Sequence, residues 1–330
     1  MKEIWAVILA AGEGKRMHSR QPKVLHSLCG KSMVEYILES ASELTKQVLV
    51  VVGHGAFQVQ ETLGNRCSYV LQEQQLGTGH AVMEALKELP RKGILLVLCG
   101  DTPLLEASYL RNLIDCYREQ AGAVATAKLP DPAGYGRVLR DQNGLVVKIV
   151  EDGDASEEEK AIKEINTGTY CFNLELLHRY LPRLGTDNVQ KEYYLPEVVA
   201  MMRQDGYSTG AYRLDDYRVG LGINNRVQLA EAVAILQRKI KQELMLKGVT
   251  IDNPGSVFID QDVQISPDTV IRPGCVIEKG TVIGEECVIG PGTHLKGARI
   301  GNRAVVSQSV VINGAVEDGA VVGPFARFKG

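Results

Sequence analysis

Ile271-Arg272-Pro273-Gly274-Cys275-Val276-Ile277-Glu278-Lys279-Gly280-Thr281-Val282-Ile283 repeats an aliphatic residue every six positions and a small residue four positions after each. The pattern extends outward without a break. Ile259, Ile265, Ile271, Ile277, Ile283, Ile289 and Leu295 keep the aliphatic position, while Val263, Thr269, Cys275, Thr281, Cys287 and Thr293 keep the small one. An unbroken six-residue period predicts a parallel β-helix with three short strands per coil, each aliphatic side chain pointing inward and each small one fitting a tight corner. Ile300 follows Leu295 by five residues, so the register slips there before Val316 and Val322 restore it. About four coils fit between Gly255 and Gly330, where the chain stops in mid-repeat at Pro324-Phe325-Ala326-Arg327-Phe328-Lys329-Gly330 without a polar cap, so a partial β-helix is expected.

Upstream of the repeat the texture differs. Residues 4–9, 47–52, 67–72 and 93–98 are continuous apolar runs bounded by glycine or polar turns, as buried strands are. Between them, residues 33–44 and 80–89 carry apolar side chains at helical spacing, which predicts a largely parallel, helix-flanked sheet. From 122 to 172 the runs shorten and Asn143-Gly144 marks a hairpin, an antiparallel insertion of the kind that walls a pocket. Helical patterns return at 192–204 and 228–246, the second ended by Gly248. The expected division is an α/β domain over 1–226, a linking helix over 227–249 and the β-helix over 250–330.

Composition removes several classes of function. With 37 Lys+Arg against 40 Asp+Glu in 330 residues, the net charge of −3 lacks the basic footprint of a nucleic-acid binder. The longest apolar run, residues 4–11, falls far short of the roughly 20 residues of a membrane-spanning helix. Glu3 occupies what a signal peptide would keep positive, and the run opens into Gly12-Glu13-Gly14-Lys15-Arg16 rather than a cleavage site. The 7 cysteines include no C-x-x-C pair, so reduced thiols in a cytoplasmic protein are expected.

The candidate chemistry lies in the loops after strands. Leu9-Ala10-Ala11-Gly12-Glu13-Gly14-Lys15-Arg16-Met17, with Pro22-Lys23 close behind, offers backbone N–H groups to a phosphate and two cations to neutralise it. It is not a dinucleotide fingerprint, because Met17 stands where the third glycine belongs. Gly30-Lys31-Ser32 is not a Walker A loop, because its first glycine would fall on Leu25. Cys99-Gly100-Asp101 closes the fourth run; its Asp is equally suited to hold Mg²⁺ or to serve as a turn or N-cap residue before Pro103. Gln72 through His80 is a second glycine-rich stretch, either a reader of a base edge or a strand-to-helix loop capped by Thr78. Gly136, Glu151 and Asn166 sit at strand ends or turns, either as routine polar loop residues or as partners for a polar ligand such as a sugar, and Asn224-Asn225 precedes the long helix as a cap or a cation ligand. Ser156 and Glu159 form a capping-box pattern. No histidine pair has metal spacing, and no G-x-S-x-G occurs.

Taken together, Leu9-Ala10-Ala11-Gly12-x-Gly14-x-Arg16-Met17, Pro22-Lys23-Val24-Leu25-His26, Gln75-Leu76-Gly77-Thr78-Gly79-His80-Ala81, Gly134-Tyr135-Gly136-Arg137, Glu164-Ile165-Asn166-Thr167-Gly168 and Asn224-Asn225-Arg226 resemble the bacterial bifunctional N-acetylglucosamine-1-phosphate uridyltransferase / glucosamine-1-phosphate acetyltransferase family. The resemblance covers essentially the whole chain, hexapeptide repeat included. It implies a Rossmann-like nucleotidyltransferase domain followed by a left-handed β-helix. In it, Leu9, Ala10, Ala11, Gly12, Gln72, Gly77 and Thr78 would hold the uridine nucleotide, and Cys99, Gly100 and Asp101 would line the substrate site. Arg16 and Lys23 would be the catalytic cations on the triphosphate; Gly136, Glu151 and Asn166 would hold N-acetylglucosamine-1-phosphate. Asp101 and Asn224 would bind Mg²⁺, and the β-helix would make a homotrimer.

Two departures from the family pattern stand out. Cys99 occupies a position where the family often has Tyr, and Lys329 falls near one where it tends to have Arg. The family's acetyltransferase site lies in later coils, so no acetyl transfer is expected of this chain. Other adenylyl- and thymidylyltransferases usually carry Pro-Lys-Pro where this sequence reads Pro22-Lys23-Val24, which favours the uridyl reading.

Overall fold

The computed structural model describes residues 3–117 and 121–330. It divides into two compact units, one of 1–26 and 32–226, the other of 27–31 and 227–330. Ser27–Lys31 therefore cluster with the β-helix unit, a contribution that no periodicity in the sequence signals.

In the first unit, strands β1 (Ile4–Ala10), β4 (Val48–Val52), β5 (Ser68–Leu71) and β6 (Ile94–Cys99) are parallel, as expected, but β5 is not the buried strand its run predicts: it lies at the edge of the sheet, with Ser68 and Leu71 exposed. Two short strands, β2 (Ser27–Leu28) and β3 (Lys31–Ser32), pair only with each other. The sheet continues through β7 (Gly122–Lys128), β8 (Arg137–Arg140), β9 (Val146–Val150), β10 (Glu164–Asn173) and β11 (Thr209–Arg213), giving nine strands in the order β5-β4-β1-β6-β10-β7-β11-β9-β8. Strand β10 enters antiparallel to β6 and starts the mixed half. Helix α1 (Met33–Ser42) follows β3, while α2 (Ala56–Leu63), α3 (Thr78–Leu86) and α4 (Ala107–Asp115) follow β4, β5 and β6 of the parallel half. The core lies where Val7, Leu95 and Val97 meet Val82 and Ala85 of α3, all fully buried.

Several local expectations hold and two change. Ser156 and Glu159 form the predicted capping box at Glu157–Lys160. Thr78 is not a cap: Gly77 takes the N-cap position and Thr78 begins α3, its hydroxyl accepting instead from the Leu195 N–H at 3.2 Å. The helix expected from 192 begins at Glu197, because the backbone of Tyr193 is used elsewhere. Its N–H donates to the Leu76 carbonyl at 2.8 Å and its carbonyl accepts from Gly79 N–H at 2.8 Å, tying it to the glycine-rich loop.

The second unit is the expected left-handed parallel β-helix, three stacks of two- and three-residue strands. Ile259, Ile271, Ile277, Ile283, Ile289 and Leu295 are fully buried, and so are the corner residues Thr269, Cys275, Thr281 and Cys287. The slip at Ile300 is absorbed in one coil, where Ile300 still pairs with Ile283 and stays inside.

The long helix α8 (Arg226–Leu246) buries two polar side chains, Gln237 and Lys241, one turn apart. Strand Phe258–Ile259 bonds to the next coil through Phe258 N–H and Asp260 N–H, leaving the Ile259 groups on the open edge. Gln237 fills that edge: its Oε1 accepts from Ile259 N–H at 3.1 Å and its Nε2 donates to Ile259 O at 2.6 Å. Lys241 adds Nζ donations to the carbonyls of Pro254 (2.5 Å) and Val257 (2.9 Å).

Candidate active site

The carboxyl ends of β1, β5 and β6 bring the loops at 11–14, 72–77 and 100–101 to one edge of the parallel sheet, where open α/β sheets bind ligands. Gly14 adopts φ 67°, and a Cβ there would lie 2.5 Å from the Lys23 Cβ, so only glycine lets Lys23 pack against this loop. At Gly12 a Cβ would meet nothing within 4 Å; the loop borders open space.

Two cavities meet at this edge. The first, of about 270 Å³, is lined by Leu9, Ala10, Ala11, Gly12, Lys23, Gln72, Gly77, Thr78, Cys99 and Asp101, together with Gln75 and Glu192. The second, of about 230 Å³, contains Gly136, Glu151, Asn166 and Asn224, together with Tyr135, Tyr170 and Gly222. Leu9, Thr78, Cys99 and Asp101 belong to both. Gly100 lines neither; its N–H donates to the Leu9 carbonyl at 2.9 Å and ties the end of β6 to β1. Glu192, Tyr170 and Gly222 carried no motif signal, since their place depends on the fold around them, whereas Gln75 stood in the second glycine-rich stretch without being singled out.

Charge concentrates at the seam. The Lys23 ammonium is ion-paired with Asp101 and donates to Asn224 Oδ1 at 3.0 Å. The exposed Arg16 guanidinium reaches the same Asn224 oxygen, also at 3.0 Å. Asp101 and Asn224 thus turn hard oxygen donors toward one cationic position. At Gly222 a Cβ would lie 3.2 Å from each Asp101 carboxylate oxygen, so the missing side chain keeps that face of the carboxylate clear. Among the described residues no group of three or more His, Cys, Asp or Glu could hold a metal alone. One carboxylate and one amide oxygen suit a magnesium ion that completes its shell with water and substrate phosphates, so the residues fit that ion.

The second cavity is shaped by a bulge in β10, where the register shifts between Asn166 and Tyr170. It brings the Asn166 amide to the Tyr170 hydroxyl at 2.6 Å, while Asn166 Oδ1 accepts from Gly168 N–H at 3.0 Å. Burial, then the charges of Asp154, Asp152 and Glu192, raise the Glu151 carboxyl above its usual range. A Cβ on Gly136 would sit 3.3 Å from Glu151 Oε1, so the glycine leaves the carboxylate accessible. Burial and the nearby Asp101 push the Cys99 thiol up to about 12, so it stays a protonated donor to the Gly168 carbonyl at 3.4 Å.

Residues 6–147 match the MobA-like NTP transferase domain. Over 333 aligned residues, the whole of this chain is 46% identical to the bifunctional protein GlmU of Halalkalibacterium halodurans, spanning 73% of that protein. The chain belongs to the GlmU family. The bifunctional protein GlmU of Listeria monocytogenes is 45% identical over the same span, again 73% of its length. Among solved structures, UDP-glucose pyrophosphorylase complexed with UDP-glucose superposes with a TM-score of 0.59 at 17% identity, over 72% of this chain and 100% of that one. That likeness concerns the fold. Membership of the GlmU family agrees with the motif resemblance and with the NTP-transferase fold of the first unit. No helix among the described residues is long and apolar enough to cross a membrane.

Proposed function

We propose that the chain transfers the uridylyl group of UTP to N-acetylglucosamine-1-phosphate, giving UDP-N-acetylglucosamine and pyrophosphate. The observation that carries the proposal is the pair of cavities sharing Leu9, Thr78, Cys99 and Asp101, with the cations of Lys23 and Arg16 at their junction. A nucleotide in the first cavity and a sugar phosphate in the second would present their phosphates to that seam.

No side-chain nucleophile is needed. The sugar phosphate is already an anion; its oxygen forms a bond to the α-phosphorus of UTP as the bond to pyrophosphate breaks and takes the electron pair. Lys23 and Arg16 neutralise the phosphates and align them in line, which is most of what such a transfer requires. Gly136, Glu151 and Asn166 orient the sugar. Asp101 and Asn224 would hold Mg²⁺, which when bound adds positive charge beside the phosphate oxygens. Membership of the GlmU family supports this reading, and with it we propose a homotrimer built through the β-helix.

Pyrophosphate release is the test, with UTP, dTTP and ATP each paired with N-acetylglucosamine-1-phosphate or glucose-1-phosphate. Release confined to UTP and the acetylated sugar, and abolished by EDTA, is the expected result. Turnover only with another pair overturns the substrate assignment, and turnover undiminished by EDTA overturns the metal.

A further inference from the structure

Gln72 opens the loop after β5 and is almost wholly buried, yet it lines the first cavity. Both N–H groups of its amide are committed within the protein. Nε2 lies 3.3 Å from the Gly77 carbonyl and 3.0 Å from His80 Nδ1. A carbonyl can only accept, so the atom facing Gly77 must be the nitrogen. Because the atom facing His80 Nδ1 is that same nitrogen, Nδ1 must accept, and the Glu84 carboxylate lies 3.4 Å from Nε2 on the other side of the ring. Tyr193 stacks on the ring at 6.2 Å between centroids. The Gly77 carbonyl thus sets the polarity of the Gln72–His80 pair, and the one group Gln72 has left for the cavity is its carbonyl oxygen, Oε1.

We propose that His80 is a positioning residue for base selection: by claiming an amide N–H of Gln72, it holds Oε1 toward the nucleotide. A bound base must then offer a donor at that edge. The imide N–H between the two carbonyls of uracil does so, whereas the same ring atom of cytosine is a bare lone pair that would face Oε1. Without the Nδ1 acceptor only the 3.3 Å bond to the Gly77 carbonyl opposes a turn of the amide, and a turned amide presents its NH₂, which suits cytosine. Sites that reject a ligand lacking a hydrogen-bond partner discriminate far better than sites that read size.

This inference rests on the uridylyltransferase reading above, and its test separates the two. kcat/KM is measured for UTP and for CTP at fixed N-acetylglucosamine-1-phosphate, in the unsubstituted protein, in His80→Phe and in His80→Asn. Phe keeps a flat ring against Tyr193 but has no acceptor, and Asn restores an acceptor oxygen near the Nδ1 position. The UTP/CTP ratio is expected to fall at least tenfold in His80→Phe and to recover in His80→Asn to within about threefold of the unsubstituted value. A ratio unchanged in His80→Phe, with normal UTP turnover, overturns the role of His80 alone. If His80→Phe does not fold, His80→Leu, which likewise lacks an acceptor, takes its place: a tenfold fall there supports the role and an unchanged ratio overturns it. Absence of UTP turnover in the unsubstituted protein overturns the functional reading and this inference together.

Discussion

Glu151 shows most sharply how a residue can serve a site against the interest of the fold. Its carboxyl is raised chiefly by burial, with Asp154, Asp152 and Glu192 adding like charge. A folded-state pKa above the unfolded one means that ionising Glu151 costs stability, a cost absent below the unfolded value of about 4.3 and growing as pH rises through the folded value. Glu151→Gln is therefore expected to raise Tm at neutral pH, and the gain should vanish near pH 4 in calorimetry. The same variant should raise KM for the sugar phosphate, because an ionised carboxylate accepts hydroxyl protons at both oxygens and an amide at one. In the unsubstituted protein that KM should climb as pH falls through the raised Glu151 value, and the climb should disappear in Glu151→Gln. Arg16 presents the opposite case: it is exposed, and its guanidinium donates to Asn224 Oδ1. Arg16→Ala should lower kcat about 100-fold with Tm unchanged, read by pyrophosphate release and thermal melting.

At the scale of elements, the best-specified parts are those with a period. The aliphatic residues of the β-helix announced themselves because each strand is a short inward-facing unit, and even the slip at Ile300 was visible as a missing residue. The parallel strands were legible from their apolar runs. The site was legible in pieces: Lys23 and Asp101 each stood in a motif, but their ion pair spans two strands' loops and no spacing encodes it. Thr78 read as a cap because cap chemistry is local, whereas its hydroxyl serves Leu195 far along the chain. Gln237 was equally invisible, a polar residue on a helix whose partner edge lies in another element. Gln237→Leu removes both bonds to Ile259 and leaves a buried N–H and a buried carbonyl unpaired, a loss of about 3 kcal/mol expected in denaturant unfolding. An unchanged midpoint would remove the amide from the stability of the β-helix unit.

For the molecule as a whole, assembly is the open quantity with a direct readout. Val276 and Val282 remain exposed on the outer side of the β-helix strands, apolar surface of the sort that self-association covers. Light scattering is expected to give three times the 36.0 kDa chain mass; a mass of one chain would overturn the trimer. A solenoid's coils lean only on their neighbours, so such a structure can grow from whichever end is secured first. Here α8 precedes every coil in the chain and holds the edge of Phe258–Ile259 with its own side chains. During synthesis, the helix leaves the ribosome before the first coil does, and each later coil emerges onto one already wound. Translation thus offers the coils to that secured end in the order in which they stack.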